Sequence, residues 1–511
     1  MKNDDNNKLI VPAKKVKKSL DKTGKLVISN LKTVIVDRKI NLKYILGVLV
    51  AVIVVIFGIK LFSGKDVDYP VVYNKGDGDL YLMNTKDKKE DDAIKLAKNE
   101  SISNVLYANN TDRYVLFQKD EALYLYDSKN KEATSKIADD VVSYRFSEDD
   151  KYVVILDNDD NLKVYNFKET EKVDADVSEI LAIQDNKIIY EKEHKVYVRS
   201  INPKKDDRKK VTESYDSNIH FSEDTKNILY ISSNKELYKY NISKDKDDKI
   251  AKDVINYYCD SKSCDKLFYI ENSDSKSIYY YDGKDSNRVA KDIYNVNAVS
   301  VDGKKIVYST LKDGEYTLYY QMVGKDEVKI EGKLTSIRTV KIFDDKEIYY
   351  INGKNEVKYV KINGSKIGDV KKIGEDVTGY LYLHKNGYVF VADVDKSSNG
   401  TLYISNSGKA KKIDNDVNSS MVTISKDGKS IYYMKDYNTS GSLYVTNGGK
   451  GKKLDDDVRT FEYIKDDLIY YIKDYVEKKS KGDLYRYTGK SIKISEDVTR
   501  IANPPVYYEA N

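Results

Sequence analysis

Residues 422–458 read VTISKDGKSIYYMKDYNTSGSLYVTNGGKGKKLDDDV. Residues 422–425 alternate apolar and polar, Asp427-Gly428 is a turn pair, and residues 431–434 form an apolar run. A Ser-Gly loop leads to a second run at 443–446, and the stretch ends on Lys453-Leu454-Asp455-Asp456-Asp457-Val458. Short runs rich in Ile, Val, Tyr and Thr, cut by Gly, Asn and Asp, read as β-strands joined by tight turns. Nothing in the stretch has helical period. Four strands in about forty residues is the size of one propeller blade.

The stretch recurs. Its opening, apolar-Ser-x-Asp-x-Lys, stands at Phe146-Ser147-Glu148-Asp149-Asp150-Lys151, Phe221-Ser222-Glu223-Asp224-Thr225-Lys226, Val299-Ser300-Val301-Asp302-Gly303-Lys304 and Ile424-Ser425-Lys426-Asp427-Gly428-Lys429. Its close is a basic residue, an aliphatic, two variable residues, Asp, then Val or Ile. That Asp falls at Asp140, Asp176, Asp253, Asp292, Asp376, Asp416, Asp457 and Asp497, at gaps of about one or two repeat lengths. Between opening and close lies a Leu-Tyr step: Leu80-Tyr81, Leu123-Tyr124, Val196-Tyr197, Leu237-Tyr238, Ile278-Tyr279, Leu318-Tyr319, Leu402-Tyr403, Leu443-Tyr444 and Leu484-Tyr485. Leu162-Lys163 and Val357-Lys358 fill the two missing beats, which makes eleven units.

At these residues the chain resembles the TolB-like and WD40-like β-propeller repeat family, whose units carry an apolar-Ser-x-Asp-Gly-Lys turn before an apolar strand. The resemblance covers roughly residues 70–508. Only Gly303 and Gly428 keep the family's glycine. It implies the fold, an all-β propeller of four-stranded blades. Family functions are diverse, so no site residue is carried over.

The chain has 511 residues and a net charge of +5. The first 43 residues hold 12 basic and 4 acidic side chains, leaving 76 basic against 79 acidic in the rest. A basic excess confined to the tail argues against nucleic acid as partner of the main domain. Tyr numbers 47, Phe 10 and Trp 0. An AT-rich genome would raise Phe along with Tyr. The imbalance suits strands with one wet end, where the ring packs and the hydroxyl finds water or a carbonyl.

Residues 1–43 read as a basic cytoplasmic tail, with Lys14, Lys15, Lys17 and Lys18 set to sit on anionic lipid. Residues 44–62, YILGVLVAVIVVIFGIKLF, carry no charge before Lys60. Nineteen helical residues span about 29 Å, the thickness of the hydrocarbon layer. The basic flank keeps the N-terminus inside, and the repeats then lie outside the cell. Residue pattern Ser63-Gly64-Lys65-Asp66 is no cleavage site, so the segment reads as a single-pass signal-anchor. Residues 64–69 are a short link, and 70–511 the repeat region.

Single propeller rings usually have about four to eight blades, so eleven units predict two rings, with a boundary near 255–300. The first unit begins with its second strand at 71–73, and residues 498–501 supply an orphan opening strand, followed by 506–508. Pairing the two ends would close a blade and hide two sheet edges. One ring would then carry both termini, with the other inserted in it; a tandem of two rings is the alternative.

The cysteines, Cys259 and Cys264, lie around a turn in the sixth unit and form a disulfide candidate outside the cell. Two cysteines alone make no structural zinc site, and no His is near them in sequence. His194, His220 and His384 are isolated, and no HExxH, GxSxG, P-loop or CxxC is present. Neither cofactor nor catalytic residue is assigned. The acidic run at Asp393 has Ser398 and Ile404 where a calcium loop needs Gly and Glu. Eight copies of the closing Asp are read as structural, each carboxylate accepting backbone N–H bonds in a turn. The functional expectation is a binding or scaffolding module for a protein or glycan at the cell envelope. The alternatives are an envelope lyase or hydrolase at a propeller mouth, for which the longest departures, 204–217, 436–442 and 473–482, carry no His, and a sensor signalling through the tail.

Overall fold

A computed structural model describes residues 70–84, 90–99, 105–108, 113–129, 134–216, 219–259, 263–272, 275–378, 380–465 and 468–502. The basic tail, the 44–62 span, the link and residues 506–508 lie outside these. Among the described residues no helix is long and apolar enough to cross a membrane.

The described residues form antiparallel sheets of four strands. Six have the strand order of the chain or its mirror, and a seventh adds a two-residue strand, Lys366–Ile367, at its edge. The remaining sheet has 13 strands. In it Lys409–Ile424, Lys452–Lys465 and Ser491–Ile501 are long enough to finish one blade and begin the next. Because those three strands each serve two blades, the large sheet resolves into four blades and the total is eleven. In chain order blade 1 is 71–97, blade 2 is 105–138, blade 3 is 141–174 and blade 4 is 177–212. Blades 5 to 8 are 219–251, 254–290, 295–334 and 337–374; blades 9 to 11 are 382–414, 422–455 and 458–495.

Blade 1 lacks an inner strand of its own. The end of the last strand supplies it: Tyr73 pairs with Ile501, Asn74 with Arg500 and Lys75 with Val498. The N–H of Ala502 continues the ladder to the Val72 carbonyl at 2.8 Å. The pairing of chain ends read from the orphan strands is therefore present.

The two-ring expectation is not met. Blades 6 and 7, on either side of its boundary, share one core in which Phe268, Ile270 and Ile278 pack with Ile306 and Tyr308. The same holds at every step, from Leu82 of blade 1 with Val115 of blade 2 to Tyr432 of blade 10 with Tyr471 of blade 11. Leu484 and Val498 then meet Val71 and Tyr73. Each blade packs on its neighbours in sequence and the last on the first, so the blades make one closed circuit. A second ring would need a further core joining blades distant in sequence, and among the described residues the core clusters hold none besides the one that joins the last blade to the first.

The Leu-Tyr step explains how each blade is built. In a strand successive side chains point to opposite faces. The aliphatic member, from Leu80 to Leu484, is 0% exposed in all eleven blades. Burial of one such side chain contributes about 1.5–3 kcal/mol. The tyrosine turns the other way and stacks on an aromatic ring directly across the second strand. Tyr269–Tyr279 have centroids 5.3 Å apart at 8°, Tyr433–Tyr444 5.6 Å at 17°, and Tyr471–Tyr485 5.6 Å at 16°. Nine blades carry such a pair. The two without are those with Lys163 and Lys358 in the tyrosine's place. Stacked pairs contribute about 0.5–1.5 kcal/mol each beyond their area. These pairs take up part of the excess of Tyr over Phe.

Two outcomes are expected. Leu443→Ala, at a fully buried step, lowers stability by about 2–5 kcal/mol, read by chemical denaturation. Asn74→Cys with Arg500→Cys, placed opposite each other across the closing pair in a chain carrying Cys259→Ser and Cys264→Ser, forms an intramolecular disulfide on oxidation. A chain that stays uncrosslinked on oxidation would contradict the closure.

Candidate functional site

The opening signature makes one turn in all four copies, between inner and second strands. The Ser425 hydroxyl donates to Asp427 at 2.7 Å, and the N–H groups of Ser430 and Lys429 donate to Ser425 Oγ and Asp427 Oδ1 at 2.8 and 3.0 Å. Ser147, Ser222 and Ser300 repeat the Ser-to-Asp bond at 2.9, 2.8 and 2.6 Å. The residue after Asp is left-handed: Asp150, Thr225, Gly303 and Gly428 have φ of 55°, 54°, 62° and 69°. Only glycine enters that region freely, which explains the family's Gly. Thr225 is the costly exception, and its hydroxyl donates to Asp185 of blade 4 at 2.9 Å.

The closing signature does two things. Its aliphatic residue is a β-bulge: the register jumps opposite the Leu-Tyr step, so that Leu443 faces Asp455 while Tyr444 faces Lys453. The jump recurs in every blade, from Leu80/Tyr81 to Leu484/Tyr485. It turns the extra aliphatic inward, as with Leu96, Ile137 and Ile494 at 7%, 7% and 2% exposed. The closing Asp then reverses the chain. Asp140, Asp176, Asp253, Asp292, Asp376, Asp416, Asp457 and Asp497 all have φ between 50° and 59°. The carboxylate reading is corrected here: all eight are exposed, and it is main-chain carbonyls that accept. Asn158 N–H donates to the Asp140 carbonyl at 2.7 Å and Gly76 N–H to that of Asp497 at 2.7 Å. Asp tolerates the left-handed region better than most residues. Asn99 (φ 51°) and Lys333 (φ 60°) hold the same place where the Asp is missing, which sequence reading overlooked.

The carboxylates that do bind lie two residues earlier. Asp455 accepts from Tyr471 Oη at 2.5 Å and Lys473 Nζ at 2.8 Å of the next blade. Asp414 likewise accepts from Tyr433 at 2.8 Å and Lys435 at 2.6 Å. Asp174 takes Tyr190 at 2.5 Å, Lys192 at 2.9 Å and Arg208 at 2.9 Å. Glu331 bonds Tyr350 in the same sense. Burial alone would raise the Asp174 carboxyl, but its three donors hold it well below the ordinary carboxylate range. Burial and then the Asp174 charge push the Tyr190 phenol up. These latches fasten blade to blade.

The other named residues scatter. His194 is an exposed turn residue with Nδ1 3.5 Å from Glu191. His384 is 1% exposed, with Nε2 3.2 Å from the Lys429 carbonyl and Nδ1 accepting from Asn386 N–H; burial lowers its pKa. Asp157 and Asp395 accept N–H groups of their own turns, from Asn161 at 2.8 Å and Asn399 at 2.9 Å. Residues 473–482 are an elongated hairpin tip between Leu468–Val476 and Lys481–Thr488.

Two places bring chemistry together. A cleft of about 510 Å³ between blades 4 and 5 is lined by Asp185, Lys187, Arg199, Asp207, Lys209 and Thr225. Its polar groups are engaged internally: Arg199 donates to the carbonyls of Val173, Lys205 and Ser200 at 2.5, 2.8 and 3.1 Å, and Lys209 to that of Ile242 at 2.7 Å. The second place surrounds the cysteines. Cys259 ends the inner strand of blade 6, and its Sγ is 2.7 Å from Cys264 Sγ. His220, on the inner strand of blade 5, stands beside them, with one ring nitrogen and both sulfurs within 4.8 Å of one another. The histidine missing from the sequence neighbourhood is supplied by blade stacking.

A family model described as NUP159/214 beta propeller matches residues 59–202. Among solved structures, tricorn protease is similar at 14% identity and a TM-score of 0.27, over 84% of this chain and 57% of that one. The chain thus spans little more than half of that protein. Kluyveromyces lactis Hsv2p matches at 11% identity and a TM-score of 0.29, over 52% of this chain and 97% of its own. The β-propeller domain of the Trilobed protease from Pyrococcus furiosus, described as having an open velcro topology, matches at 12% and 0.28, over 63% and 98%. No curated protein matches. The chain is a β-propeller-like repeat protein, and its strand pairing carries that conclusion.

Two further outcomes follow. The cycle of Asp455→Asn and Tyr471→Phe yields a coupling of about 0.5–3 kcal/mol in stability measurements; additive losses would deny the latch. Burial pushes the Glu462 carboxyl, on the inner strand of blade 11, up to about 7 from 4.5. The fold's preference for the neutral acid is fully present below 4.5 and is lost as the pH rises through 7. Glu462→Gln therefore raises the melting temperature at pH 8 and leaves it unchanged at pH 4.

Proposed function

We propose that this chain is a membrane-tethered binding and scaffolding module that holds a protein or glycan partner at the cell envelope. In this reading residues 44–62 are a single-pass anchor, the tail 1–43 stays in the cytoplasm against anionic lipid, and the blades stand outside the cell. The TolB-like character of the Ser-x-Asp turns belongs to the same reading.

The observation that carries it is the placement of exposed apolar side chains. Val142 (57% exposed), Ile255 (37%), Tyr294 (47%) and Tyr380 (59%) stand at the start of the inner strands of blades 3, 6, 7 and 9. Each lies two to four residues past a closing Asp, so all four share one end of the inner strands. Large apolar groups left exposed at one end of the blades suit an interaction surface, and tyrosine is favoured at the centres of such surfaces. Tyr380 is held in place by stacking on Tyr382, centroids 6.1 Å apart at 26°.

Crosslinking and capture of the intact protein from its own membrane tests the reading. The native chain is expected to retain a defined protein or wall fragment, and Tyr294→Ala with Tyr380→Ala to lose at least about tenfold of it, as removal of a hot spot does. Equal capture by both chains would overturn the surface. Protease added outside intact cells is expected to degrade the blades; their protection would overturn the topology.

A further inference from the structure

The strongest unassigned chemistry is the group formed by His220, Cys259 and Cys264. We propose that these three residues are a thiolate–imidazole site for a soft, closed-shell cation of the Zn²⁺ class, bridging blades 5 and 6.

The donor types are those such a cation takes: two sulfurs and one imidazole, with a fourth position left for water. Two thiolates neutralise a divalent charge, which suits a site where Cys264 is 0% exposed. The donors already lie within 4.8 Å of one another. Tetrahedral bonds of about 2.3 Å put two sulfurs about 3.8 Å apart, so the pair at 2.7 Å opens by about 1 Å through side-chain rotation.

Three features of the scaffold bear on the site, and the first of them favours a cation over a simple cystine bridge. The first is His220. Its Nε2 is buried and has no hydrogen-bond partner among the described residues. Leaving a buried polar atom unsatisfied costs about 1–3 kcal/mol. A disulfide uses the two sulfurs alone; a cation also takes up an imidazole nitrogen beside them. The second is the backbone of Cys264, at φ 53°, a region a non-glycine residue enters only when its surroundings hold it there. The third is the tie between the two blades. Asn227 Nδ2 of blade 5 donates to the Ser263 carbonyl at 3.0 Å, and Tyr257 Oη of blade 6 donates to the Leu229 carbonyl at 3.1 Å. These bonds fix the blade that brings His220 against the one that brings the thiols.

The full chain, reduced and kept anaerobic in detergent, is titrated with Zn²⁺ against a chromophoric chelator and separately with Co²⁺. The expected result is one ion per chain, a sulfur-to-cobalt charge-transfer band, and protection of both thiols from alkylation by Zn²⁺. His220→Gln is expected to weaken Zn²⁺ binding by more than about tenfold, and Cys259→Ser to remove the cobalt band. Both variants are checked by circular dichroism without metal, and the thiol-protection readout on the native chain stands even where a variant unfolds. A reduced chain that binds no Zn²⁺, shows no cobalt–sulfur band, or binds equally after His220→Gln overturns the proposal. An as-isolated disulfide whose reduced form also fails to bind has the same force.

Discussion

Everything in the blades depends on one dipeptide step in the third strand, an aliphatic residue followed by an aromatic one. The period of two in a strand sends the first to one face and the second to the other. The aliphatic face builds the dry contact with a neighbouring blade. The aromatic face lays a ring against the ring of the second strand and meets a basic residue of the outer strand beyond it. Tyr444, for example, has Tyr433 on one side, Lys453 on the other, and Lys435 Nζ 5.4 Å from its centroid. A cation over an aromatic face adds roughly 0.5–1 kcal/mol at such a site.

That step also dictates the closing signature. A regular outer strand would place its aliphatic residue on whichever face the register chose. The bulge opposite the step admits one extra residue, so the basic side chain and the aliphatic both reach the face each needs. It also increases local twist, which favours sheets set side by side in a circuit over flat stacked layers. The left-handed residue that follows turns the chain inward to begin the next blade. Where the residue two positions before it is Asp or Glu, the carboxylate crosses to a Tyr of that blade, joined by a Lys at Asp174, Asp414 and Asp455, and locks the pair.

Much of this was legible in the sequence. The orphan strands at 71–73 and 498–501 suggested the end pairing that the structure shows, and the beat of about forty residues and the strand count follow from pattern alone. Three things did not. Ring number was hidden because the cores between blades use the same Leu, Ile, Val and Tyr at each joint; nothing in residues 254–334 marks a boundary, and the structure packs straight through it. The closing Asp was read by its side chain, although its backbone is what the turn needs, as Lys333 at φ 60° shows by standing in for it. The nearness of His220 to Cys259 depends on which strand positions face each other in adjacent blades, a relation that spacing along the chain does not contain.

The circuit has a mechanical consequence. No blade except the first is closed by a distant segment, so each joint relies on local packing, and the pairing of chain ends alone keeps the first and last blades from exposing free edges. The most direct test of the account is an experimental density map of residues 70–502. It should show eleven four-stranded sheets around a single axis, with 498–501 lying as the inner strand beside 71–75. Two axes, or a gap between those segments, would contradict it.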